Sequence, residues 1–276
     1  MLSFIPTPIG NPQDITIRAL KLFEEATLFL CEDTRQTKKL LRILEARFDL
    51  SYPILADFLS FNEHNGFKRL EEIGSRIENE SVVFVSDAGM PVISDPGQLL
   101  VEYAQINKIK YDVLPGANAL TTAYASSGFK SGKFLFFAFL PHKGEDRREA
   151  LIKVLNSSEN AIIYESPHRL IKLLEEVVEI EPDRVLFLAK ELTKKFQRYY
   201  KDNAQNLLDE LREVEIKGEW VVIFEGNSNI SKSFSYNDIL SLDIQPKLKA
   251  KLLSKLSDKS VKECYENIIK STAKIR

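Results

Sequence analysis

Short apolar runs that alternate with longer amphipathic stretches constrain the fold of this chain most strongly. The predicted strands are Leu2–Ile5, Leu28–Cys31, Val82–Val85, Tyr111–Leu114, Phe134–Leu140, Ala161–Glu165, Arg184–Lys190 and Trp220–Glu225. The predicted helices are Thr16–Glu25, Thr37–Arg47, Gly66–Glu78, Gln98–Asn107, Arg147–Leu155, Pro167–Val178 and Ala204–Arg212. This alternation predicts an α/β fold.

The length of 276 residues suits two modest domains and a small appendage. We predict an N-terminal α/β domain over residues 1–117 and a second α/β domain over 118–227. A polar linker then leads to a small helical unit over 238–276. From residue 231 onward ten lysines and arginines face five acidic residues, so this end carries +5 and the remainder carries −7. Such a tail fits a polyanionic partner, but also an ordinary solvated lysine-rich face.

Several classes of protein are poorly supported. Cys31 and Cys264 are far apart and the chain has only three histidines, so we expect neither a disulfide framework nor a metal site. No apolar run reaches the length of a membrane span, and the N-terminus lacks the pattern of a signal peptide. We therefore expect a cytoplasmic protein that does not enter a membrane.

Three loops in the first half share one pattern, in which a strand is followed by small residues with Pro and Gly and then by a helix. They read "PTPIGNPQD" (6–14), "SDAGMPVISDPG" (86–97) and "LPGANALTTA" (114–123). Each could be only a tight turn, but the loops after parallel strands gather at one sheet edge, where ligands bind. Together they predict one shared small-molecule site. In the middle loop, Asp95 and Pro96 also form a helix start signal.

Seven blocks, in chain order, carry a resemblance to a known family. They are "PTPIGNPQDITIRAL", "CEDTRQTKKLL", "SFNEHN", "FVSDAGMPVISDPG", "LPGANAL", "YESPHRL" and "AKELTKKF". The chain resembles the bacterial 16S ribosomal RNA 2′-O-ribose methyltransferases of the tetrapyrrole (corrin/porphyrin) methylase superfamily. The resemblance implies two α/β domains with a cleft between them, S-adenosyl-L-methionine as cofactor, a homodimer, and 16S rRNA or the small ribosomal subunit as substrate.

The same resemblance implies which residues contact the cofactor. The matching positions are Pro8, Ile9, Gly10, Asp87, Ala88, Gly89, Pro91, Ile93, Pro115, Gly116, Asn118, Ala119 and Glu165. The chain departs from the superfamily's G-G-D-P block, because Ala88 and Met90 replace a glycine and the aspartate. Asp87 is then a candidate contact for the amino group or the ribose, although it could also be only a turn-forming residue.

The catalytic candidates lie in polar segments at predicted strand ends and in loops. They are His64, Glu165, Lys190 and Glu191. Plain alternatives remain for several of these polar residues: Asp33 or Thr34 could cap a helix, Glu191 could form only an ion pair, and His64 could be structural. The pattern does not identify a general base.

The segment "TKKFQRYYK" (193–201) interleaves cations with aromatic rings, a pattern suited to single-stranded RNA. The RNA-binding candidates are Arg35, Arg169, Lys194, Lys195, Arg198 and Lys201. A strand with one solvated face would show a similar pattern. Two other functions stay open, a tetrapyrrole-precursor methyltransferase of the same fold and a non-catalytic RNA-binding factor in ribosome assembly.

Overall fold

The computed structural model describes residues 1–53, 55–62, 65–95, 97–227, 236–257 and 259–273. The chain divides into two compact units, Met1–Gly226 and Asn227–Arg276. The first unit holds both β-sheets, which confirms the predicted α/β class. The division of this unit into domains at residues 117 and 118 stays a prediction.

The first sheet is parallel throughout. Its strands are β1 (Leu2–Phe4), β2 (Leu28–Cys31), β3 (Asp57–Ser60), β4 (Val82–Val85) and β5 (Tyr111–Val113). The helices between them are α1 (Ile17–Glu25), α2 (Thr34–Phe48), α3 (Gly66–Asn79) and α4 (Gly97–Ile106). The order β3-β2-β4-β1-β5 brings the carboxyl ends of β1 and β4 side by side, so the loops that follow them meet.

The second sheet is mixed. It follows α5 (Ala119–Ser127) and contains β6 (Phe134–Phe139), β7 (Asn160–Glu165), β8 (Val185–Lys190), β9 (Arg198–Asn203) and β10 (Trp220–Phe224). Its helices are α6 (Glu145–Leu155), α7 (Pro167–Val178) and α8 (Ala204–Arg212). The order is β6-β7-β10-β8-β9, with β6 parallel to β7 and the other neighbours antiparallel.

Central strand β10 is buried on both faces, and its side chains alternate between two different cores. Trp220, Val222 and Phe224 pack in a core with residues of α6, α7 and α8. Val221 and Ile223 face the other way, into a core with residues of α5 and with Ile9 from the loop after β1. The second sheet therefore contacts a first-sheet loop directly.

Most predicted elements are present, and the differences have local causes. Helix α2 begins at Thr34 instead of Thr37, because the Asp33 side chain accepts a hydrogen bond from the Arg35 amide at 2.8 Å and caps it. The predicted elements do not include strand β3, strand β9 or helix α5. The Asn118 side chain, which accepts from the Thr121 amide at 3.2 Å, marks the start of α5.

The second unit contains, in its described part, α9 (Tyr236–Ser241), α10 (Pro246–Ser254) and α11 (Val261–Ala273). Its small core contains Ile239, Ala250, Leu253, Cys264 and Ile268. The small helical unit expected from the sequence is therefore present.

Candidate functional site

A cavity of about 420 Å³ lies between the first-sheet loops and the second sheet. This volume is within the range of roughly 300–1,000 Å³ that is typical of ligand pockets. On one side it is lined by Ile9, Glu32, Ser86, Asp87, Ala88, Gly89, Met90, Ile93, Ser94, Asp95, Asn118 and Ala119. On the other it is lined by Phe139, Tyr164, Glu165, Ser166, Pro167, Ala189, Leu192, Glu219, Trp220 and Val221.

The double turn after β4 forms one wall of this cavity. Gly89, at φ 82°, exchanges two backbone hydrogen bonds with Thr7 at 3.0 Å, which joins this turn to the loop after β1. Asp95 accepts from the amides of Val92, at 2.8 Å, and Gly97, at 2.9 Å. The turn therefore forms the wall, and Asp95 then caps the start of α4, as the sequence predicts. Pro96, the other residue of the predicted helix start, lies outside the described residues.

The first-sheet side of the cavity is acidic. The Glu32 carboxylate accepts from the Asp87 amide at 3.1 Å, and the Asp87 carboxylate accepts from the Asp33 amide at 3.2 Å. Burial, and then the charge of Glu32, raise the pKa of Asp87. Burial is also the main cause that raises the pKa of Asp95, to which Glu32 adds. The fold thus brings three carboxylates to one side of the cavity at a cost in desolvation.

No lysine, arginine or histidine is among the lining residues, which all belong to the described part of the chain. The side formed by the second sheet is largely apolar and aromatic, with Tyr164, Leu192 and Trp220, although Glu165 and Glu219 also belong to it. Carboxylates beside apolar walls fit a ligand that is partly apolar and carries positive charge. They do not fit a polyphosphate, which needs cations or a backbone cradle.

Glu165 is the best-anchored carboxylate at the cavity. Its side chain is fully buried and pairs with Arg169 at 2.6 Å and with Arg147 at 3.5 Å. It also accepts from the Ser166 amide at 2.8 Å. Arg147, itself only 2% exposed, pairs in addition with Glu176 at 2.8 Å. This network fixes the position of Glu165 and occupies both of its carboxylate oxygens.

Glu191 forms an ion pair with Lys194, which is the structural alternative to a catalytic role that the sequence left open for Glu191. The Lys194 Nζ lies 2.9 Å from Glu191 and 3.0 Å from Glu219. Burial raises the pKa of Glu191, but the Glu219 amide and Lys194 outweigh it, so the pKa lies below its ordinary value. Glu191 is therefore held ionised by Lys194, which is close in the chain, and by the Glu219 amide, which comes from a distant part of it.

Lys190 lies next to the cavity but not in its wall. Its ammonium is 5.4 Å from the centre of the Trp220 ring, and in the sheet Trp220 is paired with Lys190 on one side and Glu165 on the other. Directly paired residues share a face of the sheet. Lys190 is thus separated from Glu165 by the Trp220 ring, and its predicted role in the reaction stays a prediction.

The predicted cofactor contacts divide into two groups. Those in the wall are Ile9, Asp87, Ala88, Gly89, Ile93, Asn118, Ala119 and Glu165. Those outside the lining, among described residues, are Pro8, Gly10, Pro91, Pro115 and Gly116. A side chain at Gly116 would first meet the Pro6 ring, 2.7 Å away, instead of the cavity. A side chain at Gly10 would meet 192–194. Contact with a cofactor stays a prediction for both groups.

The predicted substrate-side residues are spread more widely. His64 lies outside the described residues. Arg35 is exposed and pairs with Asp33, and the Arg35 hydrogen bond lowers the pKa of that aspartate to about 2. Arg169 and Lys194 hold Glu165 and Glu191, and Lys201 donates to the Ser127 carbonyl at 2.8 Å. Several predicted RNA-binding cations are therefore already bound to protein groups.

Sequence reasoning did not select four lining residues that the fold makes prominent. In the sequence Glu32 belongs only to a polar segment, and Ser86, Tyr164 and Trp220 belong to predicted strands and turns. The Ser86 hydroxyl is buried and has no hydrogen-bond partner among the described residues. Burial raises the pKa of Tyr164, an effect that the Leu120 amide at the start of α5 opposes. A polar residue directly after a buried strand was the signal available for Glu32 and Ser86.

Among the described residues, no group of three or more His, Cys, Asp or Glu side chains is arranged to hold a metal ion. No described helix is both long and apolar enough to span a membrane.

Comparison with known proteins agrees with this architecture. Residues 1–208 match the family model of the Tetrapyrrole (Corrin/Porphyrin) Methylases. Uroporphyrin-III C-methyl transferase from Thermus thermophilus, solved as a complex with S-adenyl homocysteine, shares the fold with a TM-score of 0.53 at 15% identity. The structural match covers 81% of this chain and 96% of the Thermus chain.

Relatives with higher identity narrow the family further. Ribosomal RNA small subunit methyltransferase I of Helicobacter pylori strain J99 is 42% identical over 96% of this chain and 96% of the relative. The protein of the same name from Campylobacter fetus is 43% identical over 98% of this chain and all of the relative, 100%. The resemblance read from the seven blocks is confirmed. The chain belongs to the ribosomal RNA small subunit methyltransferase I family, within the tetrapyrrole methylases.

Proposed function

We propose that this methyltransferase uses S-adenosyl-L-methionine to methylate the ribose 2′-hydroxyl of a cytidine in the decoding region of 16S rRNA. Family membership supports a small-subunit rRNA substrate, since the relatives carry that activity in their names. The 2′-oxygen and the cytidine rest on the resemblance alone. A substrate of this kind also implies action in the cytoplasm.

The composition of the cavity wall is the observation that supports S-adenosyl-L-methionine as the cofactor. Its wall combines Glu32, Asp87 and Asp95 with apolar residues and includes no cationic side chain among the described residues. S-adenosyl-L-methionine carries a sulfonium and an ammonium against one carboxylate, so its net charge complements this wall. The fold relative solved with S-adenyl homocysteine supports the same ligand class.

The bound cofactor supplies an electrophilic methyl group. For transfer, an oxygen–carbon bond forms as the carbon–sulfur bond breaks, and the hydroxyl proton leaves to solvent or a base. The chain contributes mainly position and exclusion of water, which supply a large share of such a rate. We propose that Glu165 holds the wall through its arginine pairs. Lys190, beside Trp220, would stabilise negative charge that develops on the attacking oxygen.

The test is methyl incorporation from labelled cofactor into 30S subunits, naked 16S rRNA and a tetrapyrrole precursor, measured side by side. We expect label in RNA only, at a nucleotide whose 3′ linkage becomes resistant to alkali because the 2′-oxygen is blocked. Label in the tetrapyrrole would instead support the same fold with the other substrate. Cofactor binding without any turnover would support the non-catalytic assembly factor.

We also propose a homodimer. Edge strand β6 supports it, since Leu135 on this strand is 48% exposed and offers an apolar contact that a second copy could cover. Sedimentation equilibrium of the wild type and of Leu135→Ser measures this. A monomeric wild type contradicts the proposal.

A further inference from the structure

A second surface, next to the cavity, combines exposed aromatic rings with exposed cations. We name it the edge patch and define it by Lys195, Phe196, Arg198 and Tyr199. Phe196 is 67% exposed and Tyr199 is 45% exposed. The patch covers the turn before β9 and the start of that strand. Among the described strands β9 pairs with β8 alone, so it forms an edge of the sheet.

The segment that leads into the edge patch is held in place firmly. Glu191 and Thr193 have φ angles of 50° and 63°, which are unfavourable for residues with side chains. The Asn11 amide donates to the Thr193 hydroxyl at 3.0 Å, and the Glu191 amide donates to the Glu219 carbonyl at 2.9 Å. Contacts with two distant loops maintain this strained conformation, and a surface fixed before binding loses little entropy on binding.

The cations of the edge patch differ from the other predicted RNA-binding residues. Lys194 is occupied by two carboxylates, and Lys201 by the Ser127 carbonyl. Neither Lys195 nor Arg198 forms an ion pair with any residue that the structure describes. The Lys195 ammonium lies 5.5 Å from the centre of the Phe196 ring, so positive charge and an aromatic face are presented together.

The aromatic rings are suited to stacking. The Tyr199 hydroxyl accepts from the Gln197 amide group at 2.9 Å, and its ring lies 5.5 Å from that of Phe187, which fixes its orientation. Exposed rings on the same sheet edge as free cations match an unpaired nucleic-acid strand, whose bases stack and whose phosphates pair. A duplex hides its base faces and cannot use the rings.

Position relative to the cavity completes the argument. Leu192 lines the cavity and precedes Phe196 by four residues, which an extended chain spans in at most about 14 Å. We infer that the edge patch binds a single-stranded RNA segment next to the nucleotide that is methylated. This inference rests on the proposed function.

The experiment measures affinity for a single-stranded RNA oligonucleotide and for the matching duplex over a range of salt concentrations. In Phe196→Ala we expect at least about fivefold weaker binding of the single strand, with the salt dependence unchanged. In Lys195→Gln/Arg198→Gln we expect the slope of log affinity against log salt to flatten by about 1.4, because two phosphate contacts are lost. The control Lys153→Gln/Lys217→Gln removes two exposed charges outside the patch and should leave single-strand affinity and slope near wild type.

In the binding experiments the inference is overturned by wild-type RNA affinity in both patch variants, by an equal loss for duplex and single strand, or by a Phe196→Ala protein whose oligomeric state changes. The last would identify the patch as a contact between copies. A methyl-incorporation assay distinguishes a failure of this inference from a failure of the proposed function. A wild type that methylates no RNA refutes the function, whereas normal methylation by both patch variants refutes only the inference.

Discussion

Replacing Gly10 by alanine tests the contact between the loop after β1 and the segment after β8. An added Cβ would lie 2.8 Å from the Leu192 carbonyl oxygen and 2.7 Å from the Thr193 hydroxyl, and it would also meet the Lys194 Cγ. The carbonyl belongs to backbone held by its own hydrogen bonds, so it cannot yield cheaply. Overpacking of this kind destabilises a protein by about 1–3 kcal/mol.

Two measurements follow for Gly10→Ala. Each kcal/mol lowers Tm by about 2–4 °C in a unit of this size, so we expect a loss of about 2–12 °C. Because Ile9 and Leu192, on either side of the contact, both line the cavity, cofactor affinity should also fall. We expect calorimetric titration with S-adenosyl-L-methionine to show at least about threefold weaker binding.

Gly132 provides the matched control. A Cβ there meets nothing within 4 Å and the residue does not need a positive φ, so Gly132→Ala should change stability by at most about 0.5 kcal/mol. If Gly10→Ala unfolds at the wild-type Tm and binds cofactor as Gly132→Ala does, the contact between the two loops is refuted.

Four further predictions concern the cavity and the tail. If ionised Asp87 holds a cationic group of the cofactor, acidification through its raised pKa removes the charge and weakens cofactor binding. Asp87→Asn should abolish that pH dependence of the affinity measured by calorimetry. A variant with the wild-type pH profile contradicts this. Arg147→Met removes one of the two arginine partners of buried Glu165, so it should lower the free energy of unfolding by about 3–5 kcal/mol in urea titrations. A loss below about 1 kcal/mol would contradict a stabilising role of this network. Lys190→Met keeps the apolar stem, and we expect near-normal cofactor affinity with methyl transfer at least about tenfold slower; wild-type turnover refutes the proposed role. Deletion of residues 240–276 should weaken rRNA binding and flatten its salt dependence, and an unchanged slope would mean that the tail is only a solvated surface.

The sequence predicted the strands and the clustering of loops because these depend on local signals. Val82–Val85 is continuously apolar, and Asp95 is a cap residue before a helix, so neither needs information from elsewhere in the chain. What the sequence could not predict was which charged residues are already paired. Lys194 meets Glu219, and Arg147 meets Glu165, across 25 and 18 positions that only the second sheet brings together.

Strand β3 shows a different limit of sequence reading. Its residues Asp57–Ser60 alternate weakly in polarity and carry a charged first residue. Edge pairing with β2, not a local pattern, makes them a strand. In the same way Lys195 and Lys194 are equivalent in the sequence. Only their neighbours in space distinguish the exposed cation Lys195 from Lys194, which forms half-buried ion pairs.

The hydrogen bond between Asn11 and Thr193 spans 182 positions of the chain, and this has a consequence for folding. Loops this long close slowly, since the entropy of closure rises with length and contacts between distant segments form late. The cavity needs Ile9 and Val221 together, so a nascent chain cannot complete it until nearly all of the first unit has been synthesised. Cofactor binding thereby selects chains that have finished folding, and added cofactor should retard unfolding more than it accelerates the earliest steps of refolding.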